Sequence, residues 1–275
     1  MPELPEVETV RKTLLRKLKN KTIKDINIIY PKVFENQDIE KIRKSIKDEK
    51  INDILRRGKW LIYKLDNYYL LSHLRMEGKY LYRPLNDQIG KHELIIFNIN
   101  NEFELRYKDT RKFGKMYLID KDKINTCEQL SKLGLEPWDE ALNVKYLKDK
   151  LKNKSIPIKT SLLDQSIIAG IGNIYADEIL FLSGINPHKK SNKLTNKELL
   201  KIIENTKEVL SKAIEKGGTT IRSYTSEEGV TGRFQNDLYV HKRENEKCLK
   251  CGNIIKKDVI GGRSSYYCPK CQKVK

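Results

Sequence analysis

Four of the five cysteines fall within the last 28 residues, as Cys248, Cys251, Cys268 and Cys271, in the pattern C-x2-C-x16-C-x2-C. Two tight turns at that spacing present four thiolates tetrahedrally to one ion, the ligand set of a zinc ribbon. With all four positions taken by protein, a zinc held there is structural and not catalytic. Between the pairs lies "NIIKKDVIGGRSSYYC", two strand-like runs meeting at Gly261 and Gly262, so the metal is expected to staple a hairpin with Arg263 at its tip. An exposed guanidinium in that place suits a phosphate. The fifth cysteine, Cys127, has no partner nearby in sequence and receives no function.

The rest of the chain changes texture once. At 275 residues it exceeds the usual single-domain size, which favours two domains. Val7, Val10, Leu14 and Leu18 recur at helical spacing from Pro5 onward, and proline is tolerated in a first helical turn. From about residue 22 to 120 short alternating runs follow, among them "DILRRGKWLIYKL", "YYLLSHLRM", "HELIIFNI" and "EFELRYKD", the pattern of an antiparallel sandwich or barrel. After "LGLEPWDEALN" the pattern turns helical, in "VKYLKDKLKN", "NIYADEILFLSG" and "NKELLKIIENTKEVLSKAIEKGG". The chain is therefore expected to be α+β. Residues 1–135 form a helix-plus-β-sandwich domain, 136–142 a linker, 143–235 a helical domain, and 236–275 the four-cysteine finger. "GGTTIRSYTSEEGVTGRFQND", polar and glycine-containing, is read as a mobile loop.

The charge balance names a partner class. Formal net charge is +18; residues 143–275 hold 26 basic against 14 acidic residues, and residues 1–142 hold 29 against 23. Such an excess suits a polyanion, because each neutralised phosphate releases condensed counterions. No apolar run approaches a membrane span and no secretory signal opens the chain, so a cytoplasmic protein is expected.

Against that background the opening "MPELPEVETV" is anomalous, with Glu3, Glu6 and Glu8 preceding the first basic residue. Removal of Met1, expected before proline, leaves a secondary amine that is partly uncharged near neutral pH. Such an amine is a nucleophile able to form an iminium with a sugar carbon, with Glu3 beside it as proton donor or acceptor. The competing reading is acidic decoration of a helix N-terminus.

Taken together, "MPELPEVETV", "RRGKWL", "HLRMEGKY", "DTRKFG", "AGIGNIYADEIL" and "GGRSSYYCPKCQ" resemble, in order and from residue 1 to 273, the formamidopyrimidine-DNA glycosylases. The resemblance implies that Pro2 attacks the anomeric carbon of a damaged nucleotide, that Glu3 protonates the sugar ring oxygen, and that Lys59 is a second proton donor in strand cleavage. Arg263 then holds the phosphate and acts in the last elimination step. Glu6 lies in the matching acidic tip and is counted with the DNA-binding residues. His73, His92, Arg111, Lys154, Lys159, Asn173 and Tyr239 match positions that grip backbone or the opposite strand, while Met76, Arg111 and Phe113 match those that fill the hole left by an extruded base. Asn173 also reads as a helix N-cap. Leu94 stands where the family often has a second histidine, and the polar loop resembles a base-capping loop.

The implied protein is a monomeric, nucleoid-associated enzyme that excises oxidised purines from duplex DNA and cleaves the strand by β,δ-elimination, with a helix-two-turn-helix in its helical domain and one structural zinc. Two rivals stand beside it. One is an endonuclease VIII-type glycosylase for oxidised pyrimidines, whose tip departs from "PELPEVET"; the other is a zinc-ribbon DNA-binding protein without chemistry, which leaves Pro2 and Glu3 unexplained.

Overall fold

A computed structural model describes residues 2–219 and 232–273, so most of the loop resembling a base-capping loop lies outside the described residues. The chain divides into two compact units, the first built from residues up to Ser131, the second from residues 132–219 and 233–273.

The first unit opens with α1 (Leu4–Leu18), with Pro5 in its first turn and Val7, Val10, Leu14 and Leu18 buried as one stripe. β1 (Ile23–Ile28) and α2 (Ile39–Ile46) follow. Then come β2 (Asp53–Arg57), β3 (Trp60–Lys64), β4 (Tyr68–His73), β5 (Lys79–Pro84), β6 (Glu93–Ile99), β7 (Phe103–Lys108) and β8 (Lys115–Asp120). They form two four-stranded antiparallel sheets, ordered β1-β6-β7-β5 and β2-β3-β4-β8. Ile54, Leu61 and Leu70 from one sheet share a core with Phe97, Ile99 and Leu105 from the other and with the α1 stripe. The architecture is a sandwich, as the alternation predicts. α2 departs from the all-strand reading of residues 22–120. The Asp38 side chain accepts from the backbone of Glu40 at 2.9 Å and Lys41 at 3.2 Å, and Ile42 and Ile46, one turn apart, are buried.

A short α3 (Glu128–Ser131) precedes the second unit, which holds α4 (Val144–Leu151), α5 (Ile158–Leu163), α6 (Asn173–Ser183) and α7 (Asn196–Glu215). The stretch before α4 packs with this unit: Leu135 bridges Ile168, and the Ala169 N–H donates to the Leu135 carbonyl at 2.9 Å. α7 starts with a capping box between Thr195 and Glu198. α6 is apolar nearly all round, packed by α5, α7 and the hairpin β9 (Lys256–Ile260) and β10 (Arg263–Tyr267), and ends at Gly184 in the left-handed region at φ 68°. Among the described residues no helix is long and apolar enough to cross a membrane.

Candidate active site and nucleic-acid interface

The acidic tip folds on itself. Glu3 is the N-cap of α1 and joins Glu6 in a capping box, in which the Glu6 carboxylate accepts the Glu3 backbone N–H at 2.8 Å. Pro2, Glu3 and Glu6 are all buried, so this is no solvated acidic fringe. Glu6, expected among the DNA-binding residues, is buried and holds the Glu3 backbone N–H.

Lys59 follows Gly58, at φ 56°, in the two-residue turn between β2 and β3, and it too is buried. The turn is tied to α1 through Glu8. Arg56 donates to the Glu8 carboxylate at 3.1 Å and to the Gly58 carbonyl at 3.0 Å, while Arg11 donates to Glu8 at 2.7 Å and to the Ile54 carbonyl at 3.1 Å. Burial alone would raise the Glu8 carboxyl, but the hydrogen bonds and charge of Arg11 and Arg56 outweigh it and hold it below its ordinary value. The helix that Glu3 caps, just after Pro2, and the turn bearing Lys59 are thus joined by charged hydrogen bonds as well as by packing.

His73 ends β4 with its ring edge-on to Trp60 at 4.8 Å. Its Nδ1 accepts the Arg75 N–H at 3.0 Å, which leaves Nε2 to carry the proton. Burial first, and then the charges of Arg75 and Lys59, pull its pKa down to about 3, so the ring is a neutral donor at physiological pH. Met76 is half-buried in the following loop. Phe113 is 50% exposed, and the exposed Arg111 guanidinium lies 4.9 Å over its ring. A bare aromatic beneath a cation is costly to leave in water and suited to base stacking. His92 sits at φ 68° at the end of a loop clamped by the buried Arg106, which pairs with Glu93 at 2.8 Å and donates to the Asp87 and Gln88 carbonyls.

In the second unit, three expected residues converge on the hairpin tip. Gly261 and Gly262, at φ 56° and 73°, form the tight turn, and Arg263 is exposed just beyond it. The next carbonyl, that of Ser264, accepts from the Lys159 ammonium and the Asn173 amide, both at 2.9 Å. Lys159 is fully buried and its Nζ also pairs with Asp177 at 2.6 Å, whose other oxygen meets His241 Nδ1 at 2.7 Å. This corrects the expectation that Lys159 grips the backbone: its ammonium has no path to solvent and instead buttresses the segment bearing Arg263. Asn173 is also corrected as an N-cap, since Gly172 holds that position and Asn173 is the first helical residue. Lys154 is half-exposed and paired with Asp164 at 3.2 Å, apart from this cluster. Tyr239 stacks on Phe181 at 5.4 Å, and the backbone N–H groups of Tyr239, Val240 and His241 all donate to the buried Glu178 carboxylate.

The four cysteines fit one metal. Their Sγ atoms lie within 4.8 Å of one another, with Cys251 and Cys268 at 3.5 Å and Cys248 and Cys271 at 3.9 Å. A disulfide needs about 2 Å, whereas tetrahedral ligands about 2.3 Å from zinc stand about 3.8 Å apart. Burial pushes the Cys268 and Cys271 thiols up, so thiolates there need a cation beside them.

Comparison with known proteins decides the family. Residues 1–116 match the formamidopyrimidine-DNA glycosylase N-terminal domain, residues 133–225 the formamidopyrimidine-DNA glycosylase H2TH domain, and residues 245–274 the zinc finger found in FPG and IleRS. The chain is 45% identical to the formamidopyrimidine-DNA glycosylases of Shouchella clausii, over 274 residues, and of Bacillus cereus, over 273, covering 99% of each chain. The chain belongs to the formamidopyrimidine-DNA glycosylase family. Among solved structures, Lactococcus lactis FPG with an abasic site containing DNA matches at a TM-score of 0.93 and 39% identity, over 99% of this chain and all of that one. An FPG mutant from the same organism, with a Fapy-dG containing DNA, matches equally well. The formamidopyrimidine-DNA glycosylase zinc finger and the four-thiolate cluster together indicate one structural zinc.

Several residues that hold a glycosylase site of this kind together escape motif reading. Arg56, Asp109, Asp177 and Glu178 lie within the motifs and His241 outside them, yet none draws attention as a single letter, and Glu8 is noticed only as part of the acidic tip. A usable signal exists for two of them: Asp177 and Glu178 interrupt an otherwise apolar helix, and charges in such a place must be paired.

Proposed function

We propose that this chain is a bifunctional DNA glycosylase and abasic-site lyase that removes oxidised purines, ring-opened formamidopyrimidines and 8-oxoguanine, from duplex DNA. The observation that carries the reading is the buried tip, in which Glu6 fixes the backbone of Glu3 next to Pro2. A purely architectural DNA-binding protein has no use for an acid buried there.

Loss of Met1 frees the Pro2 nitrogen, which attacks the anomeric carbon as the bond to the base breaks. Glu3 gives its proton to the ring oxygen, so the sugar opens and the nitrogen becomes an iminium. Eliminations then cleave the strand, with Lys59 supplying a proton and Arg263 acting on the phosphate at the last step. Arg111, Phe113 and Met76 occupy the space of the extruded base. His73, His92, Lys154, Asn173 and Tyr239 contact backbone or the opposite strand, His73 through its neutral Nε2–H. The zinc, when bound, fixes the finger and takes no part in the chemistry. We assign the enzyme to the bacterial cytoplasm at the nucleoid, acting as a monomer.

Borohydride added during turnover tests this directly. A covalent adduct should form with 8-oxoguanine duplex, and its proteolytic map should place the DNA on residue 2; an adduct confined to Lys59, or none, overturns the assignment. Because one solved Lactococcus lactis relative is bound to an oxidised pyrimidine containing DNA, substrate preference is measured as a ratio. Single-turnover release of 8-oxoguanine should outrun that of thymine glycol, and the reverse order would move the protein to the endonuclease VIII type.

A further inference from the structure

The two loops carrying the void-filling side chains close on one buried point. The Asp109 carboxylate, 1% exposed, accepts the backbone N–H of Arg111 on Oδ1 at 3.0 Å and those of Phe113 and Gly114 on Oδ2 at 2.9 and 2.8 Å. Its own N–H donates to the His92 carbonyl at 3.0 Å. The chain from 109 to 114 is thereby wrapped round a single side chain, with Lys112 in the left-handed region at φ 57° and Arg111 and Phe113 turned outward. The Met76 loop is fastened to it. Thr110 donates to the Glu77 carboxylate, and the Tyr107 hydroxyl, 3.5 Å from Asp109 Oδ2, lies where a Cβ on either Gly78 or Gly114 would overlap it. Each of those two glycines, one in "RMEG" and one in "DTRKFG", is small because the same hydroxyl closes both loops.

We propose that Asp109 is the positioning residue for opposite-base preference: it holds Arg111 and Phe113 in their void-filling geometry before DNA arrives, and Tyr107 locks the Met76 loop to the same point. The proposal rests on the reading of Arg111, Phe113 and Met76 given above. Its physical basis is preorganisation. A loop ordered in advance does not spend binding free energy on ordering itself, and a directional contact from Arg111 discriminates between bases only when its backbone is fixed. The carboxylate is required because an ionised acid only accepts, and three N–H groups converge on it. An asparagine there is nearly isosteric, yet it must turn an NH2 toward either the Arg111 N–H or the Phe113 and Gly114 pair.

The experiment compares single-turnover release of 8-oxoguanine opposite cytosine and opposite adenine by the full-length zinc-loaded protein, Asp109→Asn, Arg111→Ala and the double variant. Asp109→Asn should narrow the cytosine-to-adenine ratio about tenfold, the span of one bidentate base contact. The double variant should be no worse than Arg111→Ala alone, because one residue acts through the other. A lesion that merely loosens the fold would slow both duplexes alike and add to the arginine loss. Should Asp109→Asn fail to fold, Tyr107→Phe decides, since it removes only the hydroxyl between the loops and should narrow the ratio in the same sense. An unchanged ratio in the folded variants, or additive losses in the double variant, overturns the proposal. Failure of the glycosylase reading looks different: the wild-type protein itself then releases no oxidised purine, and both ideas fall together.

Discussion

At the scale of single residues, the buried charges separate chemistry from support. In the proposed mechanism Glu3 is the proton donor, and Glu6 holds the Glu3 backbone N–H at 2.8 Å. Glu3→Gln should therefore lower base release by about 100-fold or more, the scale of a lost general acid, with duplex affinity little changed in a gel-shift titration. Lys159 belongs with the supports. Replacing it by alanine leaves Asp177 buried without its cation, which costs about 3–5 kcal/mol. Urea unfolding should register that loss, and DNA affinity should fall because Ser264 and the neighbouring Arg263 lose their prop. A Lys159→Ala protein of full stability that loses only salt-sensitive DNA binding would restore the phosphate-contact role.

Among the elements, the finger and the second four-stranded sheet show how a turn serves a site. The β9–β10 turn needs both glycines at positive φ, but they differ in surroundings: a Cβ on Gly261 would come within 2.9 Å of Thr160 Oγ1, whereas one on Gly262 meets nothing within 4 Å. Gly262→Ala should thus cost only the left-handed strain of about 1–2 kcal/mol, seen as a modest fall in melting temperature. Zinc removal acts on the whole finger. Elemental analysis should find about one equivalent per chain, and chelation or Cys268→Ser should weaken DNA binding before the sandwich unfolds; full affinity in the metal-free protein would contradict the role given to the finger. α2 shows the limit of pattern reading, since its single turn of buried isoleucines is too short to outweigh the strand texture around it.

For the molecule as a whole, charge and pH give the remaining expectations. With a net charge of +18, affinity for duplex should fall steeply with salt, at a log-log slope of about −0.9 per neutralised phosphate. Binding that stays flat up to physiological salt would exclude an electrostatic grip. Stability should decline on acidification in two stages. The unfolded His73 takes up a proton near 6.5 while the folded ring resists down to about 3, so its share is complete above 6.5 and is lost as pH falls through that window. The lowered Glu8 adds a second loss as pH drops below the ordinary carboxylate value of 4.5 and through its own. Urea midpoints followed from pH 8 to about 2 should show both losses, and His73→Gln should flatten the first. By itself the sequence determined the α1 stripe, the alternation of the sandwich, the metal spacing and the motifs of the tip, because each depends on residues close in the chain. Only the tertiary structure decided that Lys159 faces Asp177, that Glu8 ties α1 to the Lys59 turn, and that Asp109 organises its loop. Charged side chains are long and accept many partners, so a letter states the charge but not its counterpart; that choice is made by burial, where every unpaired ion is too costly to keep.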